Sequence, residues 1–341
     1  MALVALEGFG HFASADMPKK YWSAWGAVGA TAGRRGGPCG IQSPYSVGFT
    51  QLAGPATTDT IIVGLARKGP YGGSHLTVLG DSLSSQVTIK IDQSDGTIVA
   101  ERYHYSSPVE LGRSAAATIY PNTWYYVECK VRLHGSTGAV YVRVNNRAVL
   151  SLTGQNTLAS GSAVISGVTV NIQGGYIAAG CYLADVYIFD SSGSRNNDFI
   201  GDCRVDTHFP VTPDGAHHDF TPYTGGDNFA MVDDPLANIT DYNSADTIGM
   251  IDTFNMEPLK NPDGEVLAIQ TNVYYSKSDT GSCLLAPVLR SGGTDFVGDD
   301  VAPSAASYRF VKTPYDQNPD GPAAWDETTF NAIEVGYQRT G

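Results

Sequence analysis

The sequence has 341 residues, long enough for two ordinary domains or one large β-sandwich, so its core needs no disulfide framework. Charged residues make up 16% of it and hydrophobic residues 42%, which excludes a disordered chain and a long-helix protein. The net charge of −13 excludes wrapping of nucleic acid, which needs clustered Lys and Arg.

Alternation of apolar and polar residues predicts antiparallel strands along the chain. The clearest case is residues 124–133, where Val127, Cys129 and Val131 share one face and Glu128 lies on the other. The same pattern predicts a series of strands in the first part of the chain, at residues 2–7, 46–52, 60–65, 75–79, 86–91, 97–104, 139–145, 148–152 and 176–190. Their spacing is typical of a sandwich.

A linker-like stretch rich in Ser, Gly and Asn, residues 191–198, predicts a domain boundary between residues 195 and 196. Residues 196–341 carry 7 Lys or Arg against 23 Asp or Glu, whereas residues 1–195 carry 14 against 11. Shorter strands are predicted in this acidic domain, at residues 203–209, 229–232, 250–254, 266–275, 283–289, 308–312 and 333–337, with a helical turn at 327–332. The predicted fold class is therefore all-β, a sandwich in 1–195 followed by a smaller β-rich domain in 196–341.

Five cysteines lie far apart and form no C-x-x-C pair, so isolated buried thiols are expected rather than a zinc or redox motif. The apolar run at the N-terminus is too short for a signal peptide, and no later segment is long and apolar enough to cross a membrane. We expect a protein without membrane insertion.

The hairpin of residues 122–145 resembles the back-sheet hairpin of concanavalin A-like, laminin-G-type sandwiches. Further segments, taken in order with this hairpin, are similar to a group of virion structural proteins of tailed bacteriophages that carry such a sandwich: residues 6–9, 34–37, 182–193, 197–202, 229–233, 249–254 and 324–336. The resemblance implies an antiparallel jelly-roll sandwich in a tail, fibre or capsid-decorating protein. It also implies other virion proteins as partners, several copies in a homo-oligomer, and assembly in the host cytoplasm.

Glycan hydrolysis on such a sandwich needs paired carboxylates, which in sandwich glucanases resemble a Glu-x-Asp-x-x-Glu strand. None of the eight glutamates has that spacing, and no Gly-x-Ser-x-Gly nucleophile motif occurs. We therefore expect a protein that is not an enzyme, and no cofactor.

Two clusters of polar residues invite a metal hypothesis. His217 and His218, near Asp214 and Asp219, would point to opposite faces of an extended segment, so a solvated loop is favoured over a metal site. The candidate calcium ligands are Asp190, Asp198 and Asp202, with Asn196 and Asn197, since calcium prefers hard oxygens. Turn formation by these side chains is the favoured alternative.

Two further features concern surfaces. Arg34 and Arg35 lie in a Gly-rich stretch without the following helix that a phosphate loop requires, so we expect a loop that packs or contacts a neighbouring subunit. Trp22 and Trp25 are candidates for stacking on sugar rings or for an interface. The leading hypothesis is a non-enzymatic virion structural protein, and the alternative is a module on the phage tail that binds a host carbohydrate.

Overall fold

The structure is a computed structural model that describes most of the chain: residues 3–20, 23–24, 27–29, 32–42, 47–48, 58–69, 74–103, 107–170, 181–213, 215–305, 307–321 and 324–341. The chain divides into two compact units, Met1–Val205 and Asp206–Gly341. The first unit therefore ends ten residues after the predicted boundary at residue 195.

Antiparallel strands build the first unit. In chain order they are β1 Leu3–Glu7, β2 Ser23–Ala24, β3 Ala27–Gly29, β4 Cys39–Gln42, β5 Val47–Gly48, β6 Thr60–Lys68, β7 Ser74–Leu79, β8 Ser85–Ile91, β9 Ile98–Arg102, β10 Val109–Arg113, β11 Tyr125–Arg132, β12 Gly138–Val144, β13 Arg147–Gln155, β14 Gly167–Val170 and β15 Cys181–Asp190. The helical elements are short: α1 Met17–Lys20 and the 3₁₀ turns Ser14–Asp16 and Asp81–Leu83.

The described strands of this unit form two sheets. Sheet A has the order β13-β12-β11-β6-β15-β4-β3, with β1 also paired to β15, and sheet B has the order β10-β9-β8-β7-β14-β5-β2. The predicted all-β antiparallel sandwich is confirmed. Strand β15 lies between β6 and β4 in the middle of sheet A, as its apolar character on both faces predicts.

The core lies between the sheets and follows from the alternation along each strand. Val127, Cys129 and Val131 of β11 are buried on the inner face, opposite the inner face of sheet B with residues such as Val78. The sheets approach closely at Gly112 of β10, where a Cβ would lie 2.7 Å from Cδ2 of Leu152 on β13. Burial of this apolar surface stabilises the unit.

Shorter strands build the second unit: β16 Pro210–Thr212, β17 Thr221–Pro222, β18 Asn243–Ser244, β19 Ile251–Met256, β20 Ile269–Tyr275, β21 Leu285–Ser291, β22 Thr294–Val297, β23 Arg309–Tyr315 and β24 Glu334–Arg339. They form sheet C, in the order β16-β19-β24-β21-β22, and two separate pairs, β17-β18 and β20-β23. The helical elements are α2 Glu327–Asn331 and the 3₁₀ turn Asn228–Met231.

The core of the second unit includes one cluster of five buried residues: Ile269, Leu289, Trp325, Phe330 and Ile333. Helix α2 contributes Phe330 to it, and its start is fixed by Asp326, whose Oδ1 accepts the Thr329 N–H at 2.7 Å. The predicted helical turn at 327–332 and the strand after it are confirmed.

Two predicted strands of the second half are wrong. Residues 203–209 contain no strand, because residues 203 and 205 bond to side chains of the first unit and not to a ladder. Residues 229–232 overlap the 3₁₀ turn Asn228–Met231, since the Ala230 and Val232 N–H groups bond to carbonyls three residues earlier. An apolar run of four residues cannot separate these conformations.

The Asp and Glu residues are concentrated in the second unit, also when the boundary is taken after Val205. Met1–Val205 holds 15 Lys or Arg against 13 Asp or Glu, and Asp206–Gly341 holds 6 against 21, so the units carry about +2 and −15. The five cysteines, all of which lie in the described ranges, form no disulfide bond, and Cys39, Cys129 and Cys181 are buried. Among the residues that the structure describes, no helix has the length and apolar character needed to span a bilayer.

Candidate functional site

Part of the outer face of sheet A is covered by the segment that follows β15, residues 198–205, here called the strap. The Gly201 N–H donates to Oε1 of Glu128 at 2.8 Å, and Oη of Tyr126 lies 2.8 Å from Sγ of Cys203. Glu128, which alternation places on an outward face, is consequently only 1% exposed. The strap therefore belongs to the first unit and explains why this unit extends to residue 205.

Charged residues fasten the strap to the sandwich. Arg34 donates to both carboxylate oxygens of Asp202, at 2.8 and 2.6 Å, and lies 3.2 Å from Oδ2 of Asp185. Lys130 pairs with Asp198 at 3.2 Å. Burial opposes ionisation of Asp198, but the Phe199 N–H and Lys130 together lower the pKa of its carboxyl.

The three candidate calcium ligands have protein partners. Asp198 and Asp202 hold the strap, and Oδ1 of Asp190 accepts from the N–H and the hydroxyl of Ser192, at 2.8 and 2.5 Å. Across the described ranges, no three His, Cys, Asp or Glu side chains are grouped as metal ligands would be. All three carboxylates thus take part in turn or strap contacts.

The other predicted site residues are not brought together. Trp22, Trp25 and Asp214 lie outside the described residues. Nε2 of His217 lies 2.9 Å from Oδ2 of Asp295, while His218 forms a β-bridge with Asp252. The His217 imidazole is thus held by Asp295, while the backbone of both histidines lies along β19. Arg34 packs within the first unit, as expected of a loop that packs.

A polar row crosses the outer face of sheet B. Five residues on neighbouring strands lie directly opposite one another, namely Thr169 of β14, Thr77 of β7, Thr88 of β8, Glu101 of β9 and Glu110 of β10. The Thr77 and Thr88 hydroxyls are 3.4 Å apart. We call this line of side chains the threonine–glutamate row.

Two cations flank the row. Lys90 forms an ion pair with Glu101, and Arg113 donates two hydrogen bonds to Glu110 at 2.8 and 2.6 Å. Two like charges directly opposite one another destabilise a sheet, so each glutamate requires its own cation. The buried Thr88 forms part of the floor, and the more exposed Lys90, Glu110 and Arg113 form the rim.

The chemistry of the row suits a ligand rich in hydroxyl groups. Threonine hydroxyls both donate and accept, carboxylates accept, and Lys and Arg donate. Hydrolysis of a glycan would also need a carboxylic acid with a raised pKa. The hydrogen bonds from Arg113 lower the pKa of Glu110, and Glu101 forms an ion pair with Lys90. The two glutamates are therefore suited to binding a ligand.

The spacing of glutamates along one strand does not reveal this row. Glu101 and Glu110 meet across two strands, whose pairing has a register shift between Glu110 and Gly112. The sequence signal for the row is the polar pair Thr88 and Lys90, which share one face of a predicted strand. The row itself forms only when the strands pair, and the sequence does not display this pairing.

Comparison with known proteins gives no family model and no curated protein that matches. Among solved structures, the chain is similar to the alginate lyase Aly36B (13% identity, 56% of this chain and 95% of that one, TM-score 0.34) and to carbohydrate-binding module CBM66 from Bacillus subtilis (13%, 49% and 92%, 0.31). It is also similar to a conserved carbohydrate esterase from Shiga toxin-encoding bacteriophage phi24B (13%, 54% and 99%, 0.33).

Proposed function

We propose that the chain is a non-enzymatic carbohydrate-binding protein that recognises an oligosaccharide on the outer face of sheet B. The threonine–glutamate row is the observation that supports this proposal. Its residues are held in place by β-ladders, so a ligand would meet preformed hydrogen-bonding groups and little side-chain entropy would be lost on binding. On the outer face of sheet A the strap covers Tyr126 and Glu128, so these two side chains are not available to a ligand.

The ion pairs favour an uncharged ligand segment. Lys90 with Glu101 and Arg113 with Glu110 together present no net charge, although each pair offers donors and acceptors. Sugar hydroxyl groups match such an alternation because each one donates and accepts. The ligand class is therefore a neutral oligosaccharide, bound across the strands.

Replacing Thr88 by Val should weaken oligosaccharide binding about ten-fold, because it removes one hydroxyl from the floor and keeps the shape. A glycan array with the full chain identifies the ligand, and calorimetry measures the dissociation constants of the wild type and of Thr88→Val. Thr153→Val, on the exposed part of β13, is the matched control and should bind like the wild type. An array without any bound glycan, or equal losses in both variants, would contradict the proposal.

We also infer that this protein is a component of a tailed-bacteriophage particle, present in several copies. The segments that resemble phage virion proteins support this role. The second unit adds an observation, because four large side chains within residues 223–248 are more than half exposed: Tyr223, Leu236, Ile239 and Ile248. Exposed apolar groups of this kind suit contact with another protein.

Mass spectrometry of purified particles should detect the protein at a fixed ratio to the other virion proteins. In the same particles, Ile248→Asp should reduce that ratio at least several-fold, because a charge would be buried in the assembly contact. Val297→Asp, an exposed apolar position elsewhere in the unit, is the control and should leave the ratio unchanged. A protein that is absent from wild-type particles would refute the virion role and leave the carbohydrate proposal to its own test.

A further inference from the structure

A charged side chain lies in the core of the first unit. Arg67 is on β6, on the inner face of sheet A, where it is paired with Tyr125 of β11 and Leu183 of β15. It is 3% exposed. Burial lowers its pKa to about 10, so the guanidinium still carries its charge at neutral pH.

The guanidinium is incompletely hydrogen-bonded. Nε and Nη1 are buried and have no partner. The thiol of Cys181 forms a hydrogen bond with the side chain, but burial raises the pKa of that thiol, which therefore stays neutral and supplies no counter-charge. A buried cation without a counter-charge is among the costliest arrangements in a protein core.

A second unpartnered group lies nearby. His75 of β7, in the facing sheet, is 4% exposed, and its Nδ1 is buried without a hydrogen bond. Burial is the main cause that lowers the pKa of His75 to about 3, and the charge of Arg67 adds to the shift, so the ring is neutral. A neutral imidazole in the tautomer with hydrogen on Nδ1 has a donor to offer.

No carboxylate in the described ranges forms an ion pair with this cluster. None of the described acidic residues forms an ion pair with Arg67. The residues of the first unit outside the described ranges contain no Asp or Glu at all, because the one acidic residue outside those ranges is Asp214. The counter-charge must therefore come from solution.

We propose that Arg67 and His75 bind a small monovalent anion of the chloride class between the two sheets. One negative charge neutralises one guanidinium, whereas a divalent anion would leave a net charge in the core. The near-complete burial of both side chains fits a single ion better than the end of a polymer. The guanidinium and the imidazole N–H are the donors of this site.

The test uses the full chain and measures the free energy of unfolding of its first unit as the chloride concentration is raised. Gluconate replaces chloride, so that ionic strength and pH stay constant. A ligand that binds only the folded state raises the folding equilibrium constant by the factor 1 + [L]/Kd, about ten-fold at 200 mM for a Kd of about 20 mM. The wild-type first unit should show this saturating gain. Arg67→Met, which keeps the length and removes the charge, should show none and should be at least as stable as the wild type in gluconate.

Arg132→Met is the matched control, because Arg132 is exposed and paired with Asp59, and it should respond to chloride like the wild type. Crystals soaked in bromide provide a second measurement on the wild type, where an anomalous peak is expected within hydrogen-bond distance of Arg67. This measurement decides the matter if Arg67→Met fails to fold. A wild type indifferent to chloride, an equal response in Arg67→Met, or soaked crystals without the peak would overturn the proposal.

Discussion

Gly64→Ala should lower the free energy of unfolding of the first unit by about 3 kcal/mol, because the new methyl group would enter the ring of Tyr187. The two residues are directly paired between β6 and β15, and a Cβ on Gly64 would lie 2.1 Å from Cε1 of that ring. The ring cannot swing away freely, since its hydroxyl donates to Oε1 of Glu128 at 2.6 Å and its neighbour Phe189 lies 4.8 Å away between ring centroids.

Urea unfolding read by hydrogen-exchange mass spectrometry measures this loss, because peptides of the two units are followed separately. Gly135→Ala is the control, since a Cβ at Gly135 meets no atom within 4 Å. In a Tyr187→Ala background, Gly64→Ala should cost less than about 0.5 kcal/mol, because the clash has been removed. A full additional loss in that background would show that the ring is not the cause.

Asp252→Ala should destabilise the second unit by about 3 kcal/mol. Asp252 is fully buried on β19, where Oδ1 accepts the Phe220 N–H at 2.9 Å and Oδ2 accepts from Nδ2 of Asn228 at 2.7 Å. Removing the carboxyl leaves the Phe220 N–H and one of the two Asn228 amide hydrogens without an acceptor, since the other donates to the Phe220 carbonyl at 2.8 Å. Each such buried group costs about 1 to 3 kcal/mol. Asp246→Ala, at an exposed position of the same unit, should stay within about 0.5 kcal/mol of the wild type.

The loss should depend on pH. Burial raises the pKa of Asp252 above its ordinary value of 3.8, although the hydrogen bonds from Phe220 and Asn228 oppose this shift. A group with a raised pKa in the folded state contributes stability that is fully present below the unfolded-state pKa and is lost as the pH rises through the folded-state pKa. The stability difference between the wild type and Asp252→Ala should therefore shrink as the pH rises above 3.8, and a difference that grows would refute this account.

Local patterns in the sequence predict the sandwich well. Strands such as β8 and β11 have one face against the core, so alternation marks them to within one or two residues. The same rule places Glu128 on an exposed face, and this prediction fails because a distant segment covers it. Alternation reports which face a side chain shares, and it carries no information about what lies above that face.

The candidate site was harder to predict for a related reason. Thr77, Thr88 and Glu101 are unremarkable in their own strands and become a site only through register. The oxygen-rich neighbours of Asp202 make it a candidate calcium ligand in the sequence, yet its partner in the structure is Arg34, 168 residues away. Contacts at such separations depend on the closed fold, and a single sequence does not reveal them.

The strap also sets an order of events during synthesis. A chain made from its N-terminus completes β15 at Asp190 before the strap follows, so Tyr126, Glu128 and Tyr187 stay uncovered until residue 205 leaves the ribosome. During that interval the rings of Tyr126 and Tyr187 and the carboxylate of Glu128 are exposed to water and to other polypeptide chains. Arg34 and Asp185 are synthesised earlier, and the strap binds to them when it follows. Completion of the sandwich is thus a closing step that needs the residues just beyond its last strand.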